Sequence, residues 1–214
     1  ILIRTKIMAT AVKICGITRV EDALACAHAG AHAIGLIFYA GSPRQVSHDV
    51  ARRVVDALPP FITPVALFVD ADPMDVERVI GEVKPQLLQF HGDETPEFCA
   101  RFGLPYIKAA KVRRGMDLIQ YARRYTNAKG LLLDAFVQGS HGGTGATFDW
   151  ALIPDQFPRP LILAGGLHSE NVADAIRRVR PWAVDVSSGV EAAKGIKDAA
   201  KIAAFIRGVR NADV

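Results

Sequence analysis

The fold that this sequence predicts is a single-domain α/β protein, a (β/α)8 barrel of parallel strands covered by helices. Three observations predict it. Short apolar, β-branched runs recur along the chain, and segments with helical spacing separate them, the alternation that βαβ units produce. The runs are almost continuously hydrophobic, as expected of strands buried on both faces. Eight such units in about 200 residues lie near the lower size limit of this barrel. A doubly wound open sheet is the alternative, but it more usually shows fewer units and a glycine fingerprint after its first strand.

The elements follow in order. AVKICGI (11–17) is the first strand and RVEDALACAHAG (19–30) its helix; AIGLIFY (33–39) leads into SHDVARRVVDAL (47–58). TPVALFV (63–69) precedes DPMDVERVIGEV (72–83), and QLLQFH (86–91) precedes the helix-like PEFCARF. YIKAAKV (106–112) and GLLLDAF (130–136) are the fifth and sixth strands, with only the short DWALI (149–153) helix-like after the sixth. PLILAGG (160–166) leads into SENVADAIRRV (169–179), and AVDVSSGV (183–190) is the eighth strand.

Composition narrows the function. Half of the 214 residues are apolar, enough for one sizeable core and too few for two comfortable domains. The net charge is only +4, and the basic pairs Arg52-Arg53, Arg113-Arg114, Arg123-Arg124 and Arg177-Arg178 are scattered, so no nucleic-acid partner is expected. Cys15, Cys26 and Cys99 have no short pairing, which suggests neither a disulfide framework nor a CxxC metal or redox site. Neither a membrane-length apolar run nor a signal peptide is present, and the expected address is the cytosol. Residues 1–10 are set apart as an N-terminal extension that need not be native, with Met8 a candidate start, and the barrel is assigned to 11–210.

In such a barrel the chemistry gathers at the carboxyl ends of the strands, and side chains alternate between the interior and the helix-facing side. If Val12 and Ile14 face the helices, Lys13 and Cys15 turn inward. The same parity turns Gln89 and His91 inward on strand four, Asp134 on strand six, and Asp185 and Ser187 on strand eight. Each residue has a plain alternative: Cys15 a buried filler, Asp134 a loop or capping carboxylate, His91 the close of a strand, Arg44 a surface residue after a turn. Their convergence on one mouth favours a shared site. AGGL (164–167) and SSGVE (187–191) follow strands seven and eight, where a phosphate cradle recurs in these barrels, so Gly165, Gly166, Ser188 and Gly189 are candidate phosphate ligands through their backbone N–H groups. HGGTGATFDW (141–150) carries neither a GxGxxG pattern nor a P-loop lysine, and is read as a loop closing over the substrate.

VKICGIT, the SPR of GSPRQVS, QFHGDE, LLLDAF, GGTGATFDW, LAGGL with ENV, and VDVSSGVE occur in this order. Together they resemble the phosphoribosylanthranilate isomerase family, barrels of tryptophan biosynthesis, over about residues 11–207. Departures are few: Phe90 for a commoner leucine, Ala146 for a frequent lysine, and His168-Ser169 for Asn-Pro, where Ser169 can still cap the next helix. The resemblance implies an Amadori rearrangement of N-(5-phosphoribosyl)anthranilate to 1-(2-carboxyphenylamino)-1-deoxyribulose 5-phosphate. It assigns the general acid to Asp134, the base to Cys15 and the anthranilate carboxylate to Arg44, with His91 and Asp185 contacting or organising the site. The acid must hold a proton near neutrality. The thiol must give its proton up, so its pKa should be lowered by nearby cations, for which Lys13 and Lys108 are the candidates.

No metal or cofactor is implied, because the iminium nitrogen is itself the electron sink. A single phosphorylated small-molecule substrate and a monomer rather than a homodimer are expected. Competing readings are the indole-forming synthase of the same pathway, which calls for a lysine and a glutamate at the strand ends, a catalytically idle sugar-phosphate sensor, and a thiol-redox enzyme.

Overall fold

The computed structural model describes residues 9–135 and 149–212. Its elements run β1 (Ala11–Cys15), α1 (Val20–Ala29), β2 (Ala33–Ile37), α2 (His48–Ala57), β3 (Thr63–Phe68), α3 (Pro73–Val83) and β4 (Leu87–Phe90). There follow α4 (Pro96–Ala100), β5 (Tyr106–Val112), α5 (Leu118–Arg124), β6 (Gly130–Ala135), β7 (Leu161–Leu163), α6 (Val172–Val179) and β8 (Ala183–Val186). A hairpin, β9 (Glu191–Ala193) with β10 (Ile196–Lys197), precedes the last helix α7 (Ala199–Ala212). The first eight strands are parallel and form a closed barrel, β1 pairing with both β2 and β8.

Local chemistry sets the element boundaries. The Ser47 side chain accepts from the Val50 N–H to start α2, and Asp72 caps α3, whose first residue is Pro73. Gly30, at φ 96°, ends α1 in the left-handed conformation while its N–H bonds back into the last turn. Among the described residues between β6 and β7, Trp150–Leu152 forms a 3₁₀ turn, where the sequence shows only DWALI. Strand eight ends at Val186, four residues earlier than expected, and Ser188–Val190 forms a second 3₁₀ turn. Ser169 does not cap α6. The helix starts at Val172, and Asn171 ties the preceding loop by accepting from the His168 N–H and donating to the Gly166 carbonyl.

The core is layered as the strand period requires. Val12, Ile14, Phe68, Leu88, Phe90, Leu131, Leu133, Val184 and Val186 pack with the helices in one large cluster. Ile107, Ala109, Leu132, Ile162, Ala164 and Ala183 fill the lower barrel interior, and Cys15, Ile37, Leu67 and Val69 form a smaller group toward the mouth. Truncating a fully buried leucine of the outer layer, such as Leu133, costs about 2–5 kcal/mol.

One expectation fails here. On β5, Tyr106, Ala110 and Val112 belong to the helix-facing layer and Ile107 and Ala109 to the interior, so Lys108 faces the helices rather than the barrel. Its ammonium donates to the carbonyls of Phe90, Gly92 and Ala109, lies 3.3 Å from Glu94 Oε2, and sits over the Tyr125 ring.

Candidate active site

β1 and β8 run side by side with Lys13 opposite Asp185, and both side chains enter the barrel. The Lys13 ammonium donates to Asp185 Oδ1 at 2.9 Å, and both groups are almost wholly buried. Burial works against the charge on Lys13, but Asp185 and the Cys15 sulfur outweigh it and raise the pKa of the ammonium. Burial pushes the Asp185 carboxyl upward; Lys13 pulls it back, while the charge of Asp134 adds to the upward push. A run of interacting groups therefore crosses the mouth, from the Cys15 thiol through Lys13 and Asp185 to Asp134.

Asp134 stands at the upper end of β6. Its Oδ1 accepts from the N–H of Ala135 at 2.8 Å. Its Oδ2 is 3.3 Å from His91 Nε2, a contact too poorly aligned to count as a hydrogen bond, so that among the described residues this buried ring nitrogen has no hydrogen-bond partner. The other ring nitrogen of His91 meets the Gln89 amide at 3.0 Å. Two glycines make room for Cys15 and Asp134. A Cβ at Gly35 would lie 2.8 Å from Cys15 Sγ and 3.0 Å from Lys13 Nζ. One at Gly165, where φ is +83°, would lie 2.9 Å from Asp134 Oδ1.

The thiol departs from expectation. Burial is the largest influence on Cys15 and raises its pKa above the ordinary 9.0, although Lys13 and Lys197 both pull it down. Its apolar neighbours Ile37, Leu67 and Val69 account for the difference, since they solvate a thiolate poorly. Lys108 lies on the other side of the sheet, facing the helices.

Arg44 lies beside this group, its Cδ 2.6 Å from where a Cβ on Gly16 would be. Its Nε and Nη2 form a two-point ion pair with Glu191, at 2.7 and 2.8 Å. Glu191 also receives Lys197 Nζ at 2.9 Å, and Lys197 donates further to the Ser187 carbonyl and hydroxyl. Burial acts to raise the Glu191 pKa, but its two cationic partners prevail and hold it below the usual carboxylate range. Neither Glu191 nor Lys197 stood out in the sequence as a site residue. The only available signal was the glutamate that ends SSGVE.

The loops after β7 and β8 touch, Gly189 packing tightly against the Leu167 carbonyl. Within the described residues the N–H groups of Gly166, Ser188 and Gly189 have no hydrogen-bond partner. Gly165, Gly166, Ser188 and Gly189 thus come together at the same end of the barrel as Asp134 and Asp185. The loop read as a lid lies, apart from Asp149 and Trp150, outside the described residues. Among the described residues no cluster of His, Cys, Asp and Glu could hold a metal ion, and no helix is long and apolar enough to cross a membrane.

Known proteins resemble this chain over nearly its whole length. The family profile described as N-(5'phosphoribosyl)anthranilate (PRA) isomerase matches residues 12–208. A protein of that name from Nitrosospira multiformis is 60% identical over 202 residues, covering 94% of this chain and 97% of its own. The phosphoribosyl anthranilate isomerase structure from Thermotoga maritima superposes with a TM-score of 0.87 at 41% identity, over 94% of this chain and 99% of that one. Monomers generated from the dimeric enzyme of the same organism superpose at 0.82, with 39% identity and the same coverage. A phosphoribosyl anthranilate isomerase solved with reduced 1-(o-carboxyphenylamino)-1-deoxyribulose 5-phosphate superposes at 0.82, with 40% identity over 94% of this chain and 99% of that one.

Proposed function

The chain belongs to the N-(5'-phosphoribosyl)anthranilate isomerase family, which makes it an isomerase of tryptophan biosynthesis, and on that premise we propose how its own residues carry the Amadori rearrangement. The observation that supports the assignment is the thiol and the carboxyl flanking the buried Lys13–Asp185 pair at one mouth.

In this reading the substrate phosphate rests on the backbone N–H groups of Gly165, Gly166, Ser188 and Gly189. Arg44 takes the anthranilate carboxylate. Asp134 gives a proton to the furanose ring oxygen, the C1–O bond breaks, and an iminium ion forms at C1. Cys15 then removes the proton from C2. The electron pair of that bond moves into a C1–C2 double bond, and the iminium nitrogen recovers its lone pair. The resulting enolamine takes a proton at C1 and becomes the ketone at C2. Because the nitrogen accepts the electrons, the chemistry calls for no cofactor.

The raised pKa of Cys15 adds a step to this order of events. The thiol first gives its proton to solvent, favoured by Lys13, Lys197 and the positive charge of the iminium, and the thiolate then takes the proton from C2. His91, 3.3 Å from Asp134, and Asp185, paired with Lys13, hold the acid and the cation in place. We further read the chain as a cytoplasmic monomer; sedimentation velocity at micromolar concentration checks the second point, and a species of twice the chain mass would refute it.

The assay is the fluorescence decay of phosphoribosylanthranilate. Wild type should turn it over, and Cys15→Ser and Asp134→Asn should each lose about 10²–10⁴-fold in kcat. Full activity in either variant removes that residue from its role, and an inactive wild type removes the assignment.

A further inference from the structure

Arg44 is more than nine-tenths buried, yet among the described residues only one side of its guanidinium is engaged. Glu191 binds Nε and Nη2 along the side-on edge, and among the described residues no carboxylate spans the end-on edge between Nη1 and Nη2. A planar guanidinium can hold two carboxylates at once, one on each of these edges. Glu191 is itself strongly fixed. Its Oε1 accepts from Arg44 Nε, Lys197 Nζ and the Gly195 N–H, its backbone carbonyl accepts from Lys201 Nζ, and β9 pairs with β10. The hairpin is anchored in turn where the Lys197 N–H donates to Asp22 and the Thr18 hydroxyl to the Gly195 carbonyl.

We propose that Glu191 is the positioning residue of the carboxylate clamp: by occupying the side-on edge of Arg44 it leaves only the end-on edge for a substrate carboxylate, and thereby sets the enzyme's preference for an aromatic amine that bears one. This rests on the reading of Arg44 given above. Charge supports it. One carboxylate between two buried cations leaves a positive charge unmatched, which a substrate carboxylate completes. Without Glu191 the two cations would draw that carboxylate into the vacated inner position, away from the alignment that sets C2 over Cys15. A residue serving only to stabilise the fold would not alter the choice between a carboxylated and an uncarboxylated substrate.

The test compares kcat/KM for phosphoribosylanthranilate and for the phosphoribosyl adduct of aniline, which lacks the carboxylate. Wild type should prefer the first by at least 30-fold, on the order of a desolvated charge pair. In Glu191→Gln the preference should fall at least tenfold, chiefly through KM, and in Arg44→Gln it should approach one. Glu191→Asp, which keeps the charge but shortens its reach, is read on the same pair should the glutamine variant not fold, and it too should narrow the ratio. A large wild-type preference left unchanged by Glu191→Gln or, failing that, by Glu191→Asp overturns this proposal alone. A wild-type preference near one overturns the Arg44 reading and this proposal together.

Discussion

Lys13 and Lys108 are both buried lysines on barrel strands, each beside a carboxylate, yet they lie on opposite sides of the sheet and titrate in opposite directions. Lys13, inside the barrel, donates squarely to Asp185, and its pKa is raised. Lys108, under the helices, spends its three protons on backbone carbonyls. Glu94 is close to it but uses Oε1 on the N–H groups of Asp70 and Gly92, and burial prevails to lower the Lys108 pKa. Burial alone therefore does not mark a functional lysine. The interior pair is coupled to Cys15 and Asp134, the proposed base and acid, whereas the outer pair stitches the turn after β4 to β5.

Breaking the outer pair should give the largest stability effect. Lys108→Ala leaves Glu94 buried without its cation and should destabilise by about 3–5 kcal/mol, read as a fall in Tm, with kcat of the folded fraction unchanged. A loss of kcat without loss of Tm would reverse the roles given to the two lysines. Arg44→Ala belongs to the interior side and should raise KM by an amount worth about 2–5 kcal/mol, with a smaller change in kcat; an unaltered KM would place the substrate carboxylate elsewhere. Lys13→Met should be milder in stability than the Lys108 change, because Asp185, already pushed toward its neutral form, can take up a proton. Its signature is chemical. Removing the foremost cation acting on Cys15 should raise the thiol pKa further and slow its alkylation by iodoacetamide at pH 8, and an unchanged rate would detach Lys13 from the thiol. The smallest effect is in wild type itself. If Cys15 is the base, the logarithm of kcat/KM should keep climbing with pH past the range of an ordinary thiol, since burial raises the thiol pKa. A plateau reached below pH 8 would mean that the cations win over burial.

The two sides also differ in how far the sequence disclosed them. Strand period is two, so one secure apolar face dictates the other; Val12 and Ile14 thus oriented Lys13 and Cys15, and Leu131 and Leu133 oriented Asp134. On β5 this logic broke down, because Ala109 and Ala110 are small on both faces and give Lys108 no parity to follow. The Arg44–Glu191 clamp was hidden for another reason. It depends on β8 ending at Val186, so that the chain can turn and send β9 and β10 back toward the mouth; Ser187-Ser188-Gly189 marks the turn, but no turn pattern announces the hairpin that places Glu191 and Lys197. The cations around Cys15 could be counted in the sequence, but the apolar wall that outweighs them is built from β2 and β3 and exists only in three dimensions.

The most direct measurement follows deuterium placed on C2 of phosphoribosylanthranilate. Wild type should release the label to solvent in step with product. Cys15→Ser, with Asp134 intact, should still bind the sugar but keep the deuterium on C2 in recovered substrate. If Cys15→Ser released the C2 label at the wild-type rate, another group would be the base, and the account of this mouth as a paired thiol and carboxyl would be wrong.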